Sequence, residues 1–80
     1  MSNILATAGA VMYIENENVA DIAWMIDGLD DEFLKAMSDA DIETTVRHCA
    51  EMSKEYDQVD ADEDDIQEAI GAVKKIIANR

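Results

Sequence analysis

Apolar residues recur along much of this chain at three- and four-residue steps, the spacing of one face of an α-helix. Ile4, Leu5, Ala8, Val11 and Met12 set that step first and predict a helix over 3–14, with Asn3 or Ser2 placed to cap it. Val19, Ile22, Ala23 and Ile26 predict a second helix over about 18–27, stopped by Gly28 as a left-handed C′ residue. The stripe from Ile4 to Ile26 nearly keeps phase through Glu15, so one continuous helix is an alternative for this region. A hairpin pairing Val11–Ile14 with the residues after the polar run 15–18 is another. Further on, Asp30 or Asp31 caps a short helix that runs to Met37 and buries Phe33, Leu34 and Met37. Ser38 or Asp39 opens a longer one ending near 57, with Ile42, Val46, Cys49, Met52 and Tyr56 as its apolar stripe. The last helix follows Asp60 or Asp62 and carries Ile66, Ala69, Ile70, Val73, Ile76 and Ile77 on one side. Acids at its start and Lys74, Lys75 and Arg80 at its end both match the helix dipole.

The 80 residues contain no proline and only three glycines, so long helices are permitted almost everywhere. No internal repeat or flexible linker divides the chain. The expected fold is all-α, a single domain over 1–80 built as a small bundle of four to five helices, with a radius of gyration of about 12 Å.

Charge changes the picture more than composition does. Nineteen Asp and Glu against six Lys and Arg leave a net charge of −13. Direct binding to nucleic acid or to an anionic membrane surface needs basic residues facing phosphates, and this chain would be repelled instead. Its natural partners are basic. The single cysteine, Cys49, excludes an internal disulfide and a cysteine-based zinc site, which points to the cytoplasm. Residues 1–14 carry no charge, yet the stretch is shorter than the roughly 18–20 apolar residues that span a bilayer and reads as part of the core.

Between Glu55 and Glu68 stand eight acids and no base: Glu55, Asp57, Asp60, Asp62, Glu63, Asp64, Asp65 and Glu68. Were this stretch one helix it would span about 20 Å, one carboxylate per roughly 2.5 Å. A nucleic acid strand carries one charge per about 3.4 Å. The linear density therefore suffices to imitate a phosphate backbone. Candidate partner-binding residues are Asp57, Asp60, Asp62, Glu63, Asp64 and Asp65, followed by Asp30, Asp31 and Glu32. The competing reading is a solvated acidic face, although solubility alone is met by a net charge of magnitude about 2–8.

Other chemistries fail on particular residues. An EF-hand loop starting at Asp60 would need glycine at Asp65 and glutamate at Gly71, and one starting at Asp57 would put Val59 and Ala61 at ligand positions. Gly28–Phe33 is similar in outline to the carrier-protein motif, but Asp31 stands where the prosthetic-group serine is required. His48 and Cys49 are neighbours, and on a helix they diverge by about 100°, so they form no nucleophile–base pair. No catalytic residue, cofactor or metal is expected. In size, acidity and lack of an enzymatic motif the chain resembles small acidic inhibitors encoded by phages, the anti-CRISPR and DNA-mimic antirestriction proteins. The resemblance implies a non-enzymatic inhibitor that occludes the basic nucleic-acid-binding surface of a host defence complex. The alternative is a helical protein–protein interaction module or homodimer, using the uncharged Ile4–Ile14 segment and the Val19–Ile26 stripe.

Overall fold

The computed structural model describes residues 3–7 and 10–80. Four helices pack together behind a small hairpin: β1 (Ile4–Thr7), β2 (Ala10–Tyr13), α1 (Glu17–Asp27), α2 (Asp31–Lys35), α3 (Asp39–Tyr56) and α4 (Glu63–Ala78). The domain is thus mostly helical, with a radius of gyration of 11.5 Å.

The helix expected over 3–14 is instead an antiparallel β-hairpin, registered Ile4 with Tyr13 and Leu5 with Met12. The side chains alternate: Leu5 is buried and Met12 half-buried, whereas Ile4, Val11 and Tyr13 face solvent. Its strands pair with each other rather than through a turn at 15–18, because that polar run opens α1. The Asn16 side chain accepts from the backbone N–H groups of Asn18 and Val19, which also rules out one continuous helix. Asn3, expected as a helix cap, ties off the hairpin: its carbonyl accepts from Ile14 N–H and its amide donates to the Glu15 carbonyl. Ser2 and Ala8 lie outside the described residues.

Helix α1 is the centre of the core. Val19, Ile22, Ala23 and Ile26 are fully buried, and the helix packs on both α3 and α4. Gly28 caps it with φ −78°, so the left-handed turn expected there is absent. In α2 only Leu34 is buried; Met37, just beyond it, is half-buried and Phe33 is exposed. Ser38 and Asp41 form a reciprocal capping box at the start of α3. The buried stripe of α3 runs Ile42, Val46, Cys49, Ala50, Ser53, while Met52 and Tyr56 turn outward. Helix α4 starts at a second capping box, Asp62 with Asp65, and buries Ala69, Val73 and Ile76.

Hydrogen bonds and ion pairs between helix ends show the helix directions. Asp65 at the start of α4 holds Asn16 and Asn18 at the start of α1, and Arg80 beyond the end of α4 holds Asp27 at the end of α1. Those two helices are parallel. Lys74 near the end of α4 reaches Asp39 at the start of α3, while Glu63 reaches Arg47, so α3 runs antiparallel to both.

Candidate functional site

The acidic stretch 55–68 is not one helix. Helix α3 ends at Tyr56, Gln58 takes the left-handed conformation with φ 57°, and Val59 N–H returns to the Ser53 carbonyl. The chain then crosses to Asp62 before α4 begins, in keeping with the helix end read near 57 and the start read after Asp60 or Asp62, so the straight row that a single helix over 55–68 would give is replaced by a turn plus a helix start.

Within that turn the candidate acids divide by what they hold. The Asp62 and Asp65 carboxylates accept each other's backbone N–H groups in the α4 capping box. Asp65 also accepts from the Asn16 amide at 2.7 Å and the Asn18 amide at 3.1 Å. These bonds, with that from Asn18 contributing most, hold its carboxyl below the usual range. Glu63 accepts both terminal nitrogens of Arg47 at 3.0 Å, and Gln67 adds a third bond. Hydrogen bonding to Arg47 first, then Gln67, lowers the Glu63 pKa to about 2. Arg47 is also held by Glu43, one turn behind it in α3. Asp57, Asp60 and Asp64 remain exposed; among the described residues only Asp60 has a basic neighbour, Lys54 at 3.9 Å.

The second cluster lies at the other end of the molecule. Asp31 is bound by Arg80, whose guanidinium also takes the Asp27 carboxylate and the Asp27 carbonyl at 2.6 Å. Asp30 precedes α2 without a side-chain cap hydrogen bond, and Asp30 and Glu32 are exposed. Because Arg80 follows the end of α4 and Asp62 precedes its start, the two clusters are separated by the helix length, about 24 Å for 16 residues. The fold does not merge them into one patch.

Two aromatic side chains, Phe33 and Tyr56, are residues that periodicity placed on buried faces and the structure turns outward. The chain has one Trp, two Tyr and one Phe. All four, Tyr13, Trp24, Phe33 and Tyr56, are exposed, and among the described residues no aromatic side chain is buried in the core. Two of them sit beside the candidate acids: Phe33, 58% exposed, follows Asp30–Glu32, and Tyr56, 72% exposed, lies between Glu55 and Asp57. The flanking acids Glu55 and Asp57 were the available signal for Tyr56, whereas the step of three from Ser53 pointed to burial.

Cys49 is buried, and burial pushes its thiol pKa up, so it is held as an inert thiol. His48 beside it is exposed. Among the described residues no three His, Cys, Asp or Glu side chains converge to hold a metal ion, and no helix is long and apolar enough to cross a membrane. No protein family, curated protein or solved structure matches the chain.

Proposed function

We propose that this protein is a non-enzymatic acidic inhibitor, of the anti-CRISPR or DNA-mimic kind encoded by phages. It would act in the cytoplasm by occupying the Lys- and Arg-lined nucleic-acid groove of a host defence complex. The observation that carries the reading is the α3–α4 turn of a chain with charge −13, where Tyr56 at the end of α3, Asp57 and Asp60 in the connection and Asp64 in the first turn of α4 are all exposed. Carboxylates there stand in for phosphates, and an adjoining ring offers the flat face that such grooves use to stack bases. Asp30, Glu32 and Phe33 repeat the combination at the opposite end.

Asp62, Glu63 and Asp65 at the turn, and Asp31 at the opposite end, add negative charge while holding the fold, so they are poor probes of binding. The exposed acids are better ones. The test is capture from nuclease-treated bacterial lysate, followed by release with added oligonucleotide. Displacement of one nucleic-acid-binding complex by oligonucleotide supports the reading. The combined change Asp57→Asn, Asp60→Asn and Asp64→Asn should then weaken capture and flatten its salt dependence. A complex that oligonucleotide fails to displace, or that binds this variant as well as the parent, overturns it.

A further inference from the structure

The hairpin presents a surface that the acidic reading leaves unused. Ile14 N–H bonds to the Asn3 carbonyl at 2.9 Å, which makes 3/14 a hydrogen-bonded pair of the ladder. Alternation along an antiparallel pair then makes Leu5/Met12 hydrogen-bonded and Ile4/Tyr13 and Ala6/Val11 non-hydrogen-bonded. The backbone N–H and C=O groups of Val11 and Tyr13 therefore point to the outer edge of β2. Among the described residues neither makes a backbone hydrogen bond to another element.

Natural edge strands are blunted by charge, proline or a bulge. The β2 sequence Ala10–Tyr13 has no charge and no proline, and its pairing is continuous, so its shortness is its sole protection. Its outward face is apolar as well, with Val11 at 74% and Tyr13 at 66% exposure, where a half-buried sheet ordinarily turns polar residues to water. A shallow groove of about 410 Å³ runs from Met12, Tyr13 and Ile14 to Glu68, Gly71, Ala72 and Lys75 of α4.

Charge selects the occupant. A basic partner is drawn to the acidic ends of the molecule and gains little from a strip that carries no charge from Asn3 to Ile14. Another copy of this chain, itself at −13, is repelled everywhere except at that strip. Lys75 and Glu68 both line the groove, so each copy would bring one base and one acid to it.

We propose that the protein forms a two-fold symmetric dimer in which the β2 edges of two copies pair antiparallel, joining their hairpins into one four-stranded sheet. The inference is independent of the acidic-groove reading, and salt separates the two. Binding to a basic partner weakens with salt, whereas association of two like-charged copies tightens as their repulsion is screened.

Sedimentation equilibrium over a concentration series, at roughly 0.02 M and 0.5 M salt, is the test. A dimer is expected, tighter at the higher salt. Val11→Glu, a change at an exposed position, should raise the dissociation constant by about tenfold or more, equivalent to about 1.4 kcal/mol, with helical circular dichroism unchanged. Amide exchange guards against a variant that merely melts the hairpin: in the unaltered protein the Val11 and Tyr13 amides should become protected as concentration rises. A monomer throughout, a dimer that loosens with salt, a dimer indifferent to Val11→Glu, or concentration-independent exchange at these two amides would each overturn the proposal.

Discussion

Asp21 and Ser53 are the buried polar side chains of the described core, and they meet each other. Ser53 Oγ donates to Asp21 Oδ2 at 2.5 Å across the α1–α3 contact, with Met25 Sδ 3.9 Å from the same hydroxyl. Removing the hydroxyl leaves a buried carboxylate without its partner, so Ser53→Ala is expected to cost about 1–3 kcal/mol in urea unfolding. Removing both groups abolishes the interaction without leaving an orphan. The double change Asp21→Ala with Ser53→Ala should therefore cost less than the sum of the two single changes; strict additivity would show that the pair is not coupled. Sequence spacing placed Val19, Ile22, Ala23 and Ile26 on the buried face correctly, yet it had no means of seeing Asp21 among them. The partner of Asp21 lies 32 residues away, and only tertiary packing brings it within reach.

At the scale of elements, helix starts were legible because their chemistry is local. Ser38 with Asp41 and Asp62 with Asp65 are each three residues apart, and the cap is written in that spacing. The hairpin was legible only as an alternative, with Val11–Ile14 as a strand but its partner misplaced beyond 15–18, for a related reason: residues 3–14 contain no charged position to fix which face is polar. A short apolar run then satisfies steps of two and of three or four alike. The turn after α3 shows a third case. A break was expected here, between a helix ending near 57 and one following Asp60 or Asp62, but Gln58 occupies a left-handed conformation with no glycine to mark it, so the form of the turn was not legible. An L-residue at positive φ is strained by about 1–2 kcal/mol, partly offset against glycine by glycine's greater entropy loss. Gln58→Gly should accordingly stabilise the domain by up to about 1 kcal/mol, read from the urea midpoint. A loss of stability would mean that the Gln58 side chain contributes more than its backbone conformation costs. In α4, Asp65→Ala removes half of a capping box together with the bridge to Asn16 and Asn18, and a loss of about 1–2 kcal/mol is expected from the same measurement.

For the whole molecule, two electrostatic effects act in opposite directions as pH falls. A charge of −13 on 80 residues repels itself, and protonating exposed carboxylates, or screening them with salt, relieves the repulsion. Against this stand Glu63 and Asp65, whose folded-state pKa values lie below their ordinary 4.5 and 3.8, Glu63 at about 2. Below about pH 4.5 the unfolded chain takes up the Glu63 proton before the folded one does. Unfolding is then favoured, and the stabilisation by Glu63, complete above pH 4.5, is lost as pH falls toward 2. Asp65 acts in the same sense below 3.8. Thermal melts should therefore show three features: a rise in Tm with added salt at pH 7, a maximum in mildly acid solution, and a fall below about pH 4. The residue-level control is Glu63→Gln, which keeps neighbours and volume but removes the titrating group, and should reduce the fall between pH 4.5 and 2 while leaving the salt response at pH 7 in place. A Tm that climbs without a maximum down to pH 2 would mean that relief of repulsion outweighs the tie between α3 and α4. The acids would then be chiefly a burden on the fold, retained for what they bind.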